Sequence, residues 1–144
     1  MKKIFLILST TLLLSVALIA QTEKTTGTLT FNVTGFLDNS GQVIVKLYRK
    51  NDEIPENTFR QVKTEIKNYA SVVEIKDLPY GDYGAIIVHD KNGNGIIDHS
   101  WGMPAEPLGY TNNWQLSLFS GMPTFEKLKF TFSASNSKCN ISVK

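Results

Sequence analysis

The chain has 144 residues, and its 15 Lys and Arg residues nearly balance 13 Asp and Glu residues. The positive excess comes from Lys2 and Lys3, which precede an apolar stretch from Ile4 to Ala20. A basic start, an apolar run and a small final residue are typical of a secretory signal peptide. Removal of residues 1–20 would leave 15 − 2 = 13 basic residues against 13 acidic ones. A chain without net charge does not attract DNA or RNA, so we expect no nucleic-acid partner.

The remaining residues are expected to form one exported domain, in the periplasm, at the cell surface or outside the cell. We predict a flexible segment over residues 21–27 and a single domain over residues 28–144. No second apolar run reaches the roughly 18 residues of a membrane span, so we expect no span in the mature chain. Cys139 is the single cysteine. It has no partner for an internal disulfide, and we expect it to be a small buried hydrophobic residue.

Short runs of alternating apolar and polar residues predict an all-β fold. Alternation with a period of two is typical of a strand with one buried face. The predicted strands lie near residues 29–33, 43–47, 73–78, 83–89, 128–132 and 139–143, with residues 59–69 ambiguous between helix and strand. About seven short strands favour a β-sandwich.

Two parts of this pattern predict more detailed features. The turn cluster Asp38–Gly41 separates the first two runs, which predicts a β-hairpin over residues 28–48. Residues 85–88 form a continuous apolar run, as expected for a central strand covered on both faces.

Residues 99–123 show no regular period and are expected to form a long irregular loop, which in a compact domain is usually functional.

Oxygen-bearing side chains occur at alternate positions in the segment that follows the predicted central strand. Ca²⁺ binds six to eight oxygen ligands, and a glycine lets a tight loop direct alternate side chains to one point. The expected ligands are the side chains of Asp90, Asn92, Asn94, Asp98 and Glu106 and the backbone carbonyl of Ile96. Asp82 is an alternative to Glu106. The sequence therefore predicts a calcium-type D-x-N-x-N-G-x-x-D loop.

Two other interpretations of this loop remain open. The loop is not an EF-hand, because its twelfth position is Trp101 rather than a bidentate Glu. Asn-Gly is the strongest short hairpin signal, so a plain hairpin turn is the first alternative. The second is a metal-dependent enzyme that uses His89, Asp90, Asp98 and Glu106. Since neither a zinc-binding spacing nor a nucleophile motif accompanies these residues, we assign no catalytic residue.

The long irregular segment contains a second candidate site. Its aromatic and amide side chains are Trp101, Tyr110, Asn112, Asn113 and Trp114. Flat aromatic rings stack on sugars or peptide side chains while amides supply hydrogen bonds, which predicts a carbohydrate- or peptide-binding face. The partner would be an envelope glycan or protein. The alternative is that these rings only fix the loop to the sandwich.

Several motifs in a fixed order resemble a known family. They are Leu78-Pro79-x-Gly81-x-Tyr83, His89-Asp90-x-Asn92-Gly93-Asn94-Gly95-x-x-Asp98, Gly102-x-Pro104-x-Glu106-x-x-Gly109-Tyr110-x-Asn112-Asn113 and Pro123-x-Phe125. Together they resemble the bacterial family known as domain of unknown function 2141. The resemblance implies an exported bacterial β-sandwich without an established activity. The first motif alone is also similar to a turn of prealbumin-like and collagen-adhesin B-type domains. This similarity implies a Greek-key β-sandwich of the prealbumin-like or immunoglobulin-like kind.

The hypothesis that combines these observations is a non-enzymatic binding or structural module of the bacterial cell envelope. Its calcium-type loop and its aromatic segment are the two candidate sites.

Overall fold

The structure is a computed structural model that describes residues 25–144. The predicted signal peptide (residues 1–20) and most of the predicted flexible segment (residues 21–27) lie outside the described residues. The first strand already begins at Thr26. The last two residues of that predicted segment therefore belong to a strand.

Strands dominate the described part of the chain. They are β1 (Thr26–Thr34), β2 (Gln42–Tyr48), β3 (Arg60–Glu65), β4 (Ser71–Pro79), β5 (Gly81–Asp90), β6 (His99–Ser100), β7 (Met103–Pro104), β8 (Leu108–Tyr110), β9 (Phe130–Phe132) and β10 (Lys138–Ser142). One short helix, α1, spans Phe125–Leu128, and a 3₁₀ turn spans Thr111–Asn113. The all-β prediction is confirmed.

Two main sheets form the sandwich. In the first sheet the strand order is β10-β1-β4, with β1 antiparallel to β4 and parallel to β10. In the second sheet the order is β3-β2-β5-β8, and β9 pairs with the first residues of β5. Strands β6 and β7 form a separate small hairpin. Strand β4 passes directly into β5 through Tyr80, so the predicted Pro-Gly turn connects the two sheets.

The predicted hairpin over residues 28–48 is wrong. Strands β1 and β2 lie in different sheets and do not pair. Phe31 of β1 and Val45 of β2 belong instead to the same apolar cluster between the sheets. Alternation identifies the buried face of a strand, and that face can be buried by a facing sheet as well as within one sheet.

The predicted count of about seven strands is too low. The three additional strands, β6, β7 and β8, lie within residues 99–123, which we predicted to be irregular. Each has two or three residues, which is too short to produce a periodic pattern. Leu128 also differs from the prediction, because it ends helix α1 instead of beginning β9.

Apolar side chains form two clusters, one on each face of the second sheet. The inner cluster lies between the two sheets and contains residues of β1, β2, β4, β5 and β10. The outer cluster joins Ile44 and Ile86 to Leu108, Tyr110 and Leu128, which come from the long segment after β5. That segment therefore covers the outer face of β2 and β5. Strand β5 is buried on both faces, as the apolar run predicted.

Cys139 lies on β10 beside Phe31 of β1. Its side chain is half-buried and packs against the inner cluster, so the structure supports the expected packing role. Burial raises the pKa of the Cys139 thiol to about 11. Since the thiolate is the reactive form, this thiol is poorly reactive at neutral pH.

The end of β10 closes the sandwich against β8. Leu108 and Lys144 exchange two backbone hydrogen bonds, of 3.2 and 3.1 Å. A Cβ atom on Gly109 would lie 2.6 Å from Cγ2 of Ile141 and 3.2 Å from the backbone oxygen of Ser142. The close approach of β8 to β10 therefore requires glycine at position 109.

We predict that Gly109→Ala destabilises the domain by about 2 kcal/mol, because the added methyl group overpacks this contact. The free energy of unfolding in urea measures the loss. Gly27→Ala is the comparison variant, since the atoms nearest to its Cβ would be side-chain atoms of Tyr80 and Phe132 at 3.0–3.1 Å rather than backbone. Equal free energies for Gly109→Ala and the unsubstituted protein would contradict the prediction.

Candidate functional site

The predicted calcium loop leaves the end of β5 at Asp90. In the adjacent strand β2, Gln42 is the register partner of Asp90. Successive side chains of a strand point to opposite faces, so His89 and Asp90 diverge. Asp90 lies on the outer face, beneath the long segment, whereas His89 contacts Phe36 of the inner cluster.

Asp90 anchors the loop from within. One of its carboxylate oxygens accepts the backbone N–H of Asn94 at 3.1 Å. The other accepts the N–H of Gly95 at 2.9 Å and the side-chain amide of Gln42 at 2.6 Å. The side chain is fully buried, and burial alone would raise its pKa. The hydrogen bonds from Gln42 and the loop amides outweigh burial, so the pKa of Asp90 lies below its ordinary value.

Glu106 holds the loop from its other side. Its two carboxylate oxygens accept the backbone N–H groups of Lys91 at 3.0 Å and Asp98 at 3.4 Å. Glu106 is buried as well. Glu106 therefore lies at the loop, where its contacts join the first and last residues of the turn.

Asn92, Asn94 and Asp98 meet on the exposed side of the loop. The amide nitrogen of Asn92 donates to Asp98 at 2.6 Å, and that of Asn94 donates to both Asp98 oxygens at 3.0 and 3.1 Å. The amide oxygen of Asn92 accepts the Asn94 N–H at 3.0 Å, and that of Asn94 accepts the Ile96 N–H at 2.9 Å. The fold thus brings these predicted ligand residues together.

The backbone of the loop follows the expected geometry. Gly93 and Gly95 have φ angles of 72° and 84°, in the left-handed region that favours glycine. The side chain of Ile96 is exposed and has no donor atom, so only its backbone carbonyl could serve as a ligand. Ile97 packs against the outer cluster and fixes the loop to the sheet.

The donor set suits a hard cation, although it contains few carboxylates. No group of three or more His, Cys, Asp or Glu residues lies in ligating geometry among residues 25–144. A cation here would depend on Asp90 and Asp98 together with amide and carbonyl oxygens. A side-chain amide carries oxygen and nitrogen on one carbon, so a half-turn of the Asn92 and Asn94 amides would direct their oxygens towards Asp98.

Asp82 does not belong to this site. It lies near the start of β5 and accepts a hydrogen bond from Thr131 at 2.7 Å. Eight residues of strand separate it from Asp90, about 26 Å along the strand. Asp82 therefore cannot share a ligand sphere with Asp90.

His89 of the enzyme hypothesis does not join the three carboxylates at the loop. The Nε2 atom of His89 lies 3.0 Å from the carbonyl oxygen of Ser40, on the inner face of the sheet. Its Nδ1 atom is buried and has no hydrogen-bond partner in the described part of the chain. His89 is thus directed away from the carboxylates of Asp90 and Glu106. His99, the other histidine, is exposed on β6.

A cleft of about 420 Å³ lies beside the loop, between the segment after β5 and strand β10. Tyr110, Asn113 and Trp114 of the predicted ligand face line it, and so does Glu106. The rings of Tyr110 and Trp114 meet edge to face, with centroids 4.7 Å apart. Burial raises the pKa of Tyr110 to about 12, so its hydroxyl stays protonated.

The other two residues of the predicted ligand face lie elsewhere. Trp101 is fully exposed at the tip of the β6–β7 hairpin. It has a φ of 54° and Gly102 a φ of 77°, as a type I′ turn requires. The side chain of Asn112 donates to the carbonyl of Lys127 at 3.1 Å, which fixes the turn after β8 to helix α1.

Sequence reasoning missed the remaining walls of the cleft. Leu108 and Leu116 come from the same segment, but Asn140 and Lys144 come from the distant β10 region. No local pattern marks residues that only the pairing of distant strands brings together.

We predict that the stabilising contribution of Asp90 is lost in acid. Because its folded-state pKa is lowered, the contribution is complete above the unfolded pKa of about 3.9 and disappears as pH falls through the folded value. Urea unfolding with chelator present should show a large stability difference between the unsubstituted protein and Asp90→Asn near pH 7, and a smaller one near pH 3. A difference that stays constant over this range would contradict the role of the ionised carboxylate.

Comparison with known proteins places the chain in a bacterial family. No helix among residues 25–144 is long and apolar enough to cross a membrane. The comparisons with curated proteins and with solved structures give no match. A family model described as "uncharacterized protein conserved in bacteria" matches residues 31–140, most of the chain. The chain therefore belongs to the bacterial family called domain of unknown function 2141.

Proposed function

We propose that the chain is an exported, non-enzymatic β-sandwich module of the bacterial envelope whose loop at residues 90–98 binds Ca²⁺. The observation that carries this proposal is the concentration of carboxylates at the loop. Asp90, Asp98 and Glu106 are joined through shared hydrogen bonds, and Asp90 and Glu106 are buried. None of the three forms an ion pair within residues 25–144.

A bound cation would compensate this charge. Burying a carboxylate is costly unless it is hydrogen-bonded or neutralised. The loop amides already supply hydrogen bonds to Asp90 and Glu106, which explains how the turn folds without metal. The exposed side of the loop, at Asp98, keeps a carboxylate accessible to solvent and to a cation. Glu106 would hold the loop in shape there rather than complete the ligand sphere.

The composition of the loop favours calcium over magnesium. Amide and carbonyl oxygens suit the large, flexible coordination sphere of Ca²⁺, whereas Mg²⁺ requires near-ideal octahedral geometry. The ammonium group of Lys63 lies beside Gly95, and Lys91 belongs to the loop itself. With two carboxylates on the ligand side and two cations nearby, we expect weak binding, with Kd of about 10⁻⁴–10⁻³ M.

We predict that titration calorimetry of the mature protein detects Ca²⁺ binding in this range and weaker Mg²⁺ binding. Calcium at ten times Kd should stabilise the fold by about 1.4 kcal/mol and raise Tm by about 4–8 °C. Asp98→Asn should abolish both effects, because it removes the accessible carboxylate and keeps the side-chain shape. Asp82→Asn is the matched control, since that carboxylate lies at the opposite end of β5.

Asp98 is a better position for this test than Asp90. Asp90 accepts three hydrogen bonds that hold the turn, so its removal would destabilise the metal-free protein as well. The side chain of Asp98 is half-exposed and accepts hydrogen bonds from side chains of the loop rather than from its backbone. No heat at millimolar calcium, together with identical melting curves in calcium and in chelator, would contradict the calcium proposal and favour a plain turn.

Export rests on the sequence of the first twenty residues. The basic start and the apolar run support cleavage after Ala20. We predict that amino-terminal sequencing of the protein from the native envelope fraction begins near Gln21. Detection of an intact Met1-Lys2-Lys3 start on a cytosolic species would contradict it.

A further inference from the structure

We propose that the cleft beside Trp114 binds a neutral oligosaccharide. The cleft is defined by Glu106, Leu108, Tyr110, Trp114, Leu116 and Lys144. Glu106 is shared with the calcium loop, but Trp114, Leu116 and the amide side chains that carry this inference lie outside the loop. The volume of the cleft, about 420 Å³, lies within the range of small-molecule sites, roughly 300–1,000 Å³.

The walls of the cleft match the two surfaces of a sugar ring. A pyranose presents C–H groups on its faces and hydroxyl groups around its rim. Trp114 and Leu116 are half-buried in the lining and offer an apolar platform. The side-chain amides of Asn113, Gln115 and Asn140 lie in the same lining and can both donate to and accept from hydroxyl groups.

Trp114 is held in place before any ligand arrives. The edge of one ring meets the face of the other in its pair with Tyr110, at an interplanar angle of 90°. Trp114 has a second contact, because the Lys127 ammonium lies 5.5 Å from the centre of its ring. Lys127 is itself fixed by hydrogen bonds to the carbonyls of Ser120 and Met122, at 2.7 and 2.8 Å. A platform that is already ordered loses little conformational entropy on binding.

The charges of the cleft favour a neutral ligand over an ionic one. Glu106 and Lys144 both line it and carry opposite charges. Glu106 also directs its oxygens to the amides of Lys91 and Asp98, so its charge is already engaged. Glu106 and Lys144 are the two charged side chains of the lining, so the cleft has one charge of each sign and no wall of a single sign.

On the β8 side of the cleft, the backbone disfavours an extended peptide. Peptides commonly bind by adding a strand to a free sheet edge. At β8 that edge is occupied, because the N–H and the carbonyl of Leu108 both pair with Lys144. At β10, by contrast, the edge away from β1 has no strand partner at Asn140 and Ser142 within residues 25–144. The choice of a sugar over a peptide therefore rests on the side chains of the lining, and pentaalanine is the probe for strand addition.

The test compares two tryptophans in one protein. Cellohexaose, xylohexaose and chitohexaose are the probes, and titration calorimetry at millimolar concentration is the readout. We expect at least one probe to bind, with Trp114→Ala weakening it at least tenfold, because a stacked ring contributes more than 1.4 kcal/mol. Trp101→Ala is the control, since Trp101 is fully exposed outside the cleft, and it should change the affinity less than twofold.

A second variant keeps the test decisive if Trp114→Ala fails to fold. Gln115 is exposed and lines the cleft, so Gln115→Ala should fold normally and weaken binding several-fold. Running each titration in calcium and in chelator separates this site from the loop. Absence of binding by all three probes, equal losses in Trp114→Ala and Trp101→Ala, or tighter binding of pentaalanine than of the sugars would overturn the proposal.

Discussion

The burial of β5 on both faces is the constraint on which the rest of the molecule depends. A central strand of apolar residues cannot leave one face in water, and the first sheet covers only the inner face. The segment after β5 must therefore fold back across the outer face, and its residues Leu108, Tyr110 and Leu128 complete that cover. The loop lies where the chain leaves β5 and reverses, and the cleft lies at the seam where this cover meets β10.

The reversal at the end of β5 would be costly without its two buried carboxylates. A tight turn exposes backbone N–H groups that cannot all pair with one another. Asp90 and Glu106 accept four of those N–H groups, two each, and so satisfy the turn from both sides. The same Glu106 lines the cleft. One side chain thus belongs to the architecture of both candidate sites, and the position of the cleft wall depends on the shape of the turn.

Local chemistry in the sequence was sufficient to predict β1, β2, β4, β5, β9 and β10 and to identify the residues that meet at the loop. Alternation identified the buried faces, and the spacing from Asp90 to Asp98 identified side chains that the structure brings into contact. Pairing between strands was not predictable in the same way, because β1 and β2 bury similar faces whether they share a sheet or oppose each other. The cleft was only partly predictable, since Asn140 and Lys144 reach it through the position of β10. The position of Trp101 outside the cleft was not predictable, because the local sequence of a turn does not indicate where an aromatic side chain points.

The parallel pairing of β1 with β10 has a consequence for the order of folding. Thr30 pairs with Lys138, and Asn32 donates to Asn140 across 108 residues of sequence. Strands β2, β3 and β5 pair through shorter connections, and the entropy lost in closing a loop grows with its length. Contacts between distant residues also slow the folding of β-proteins. We therefore expect the second sheet to form first. Strand β1 would then be paired with β4 alone until β10 docks beside it. An intermediate of this kind exposes an unpaired strand edge, which makes the late docking step the stage most prone to aggregation.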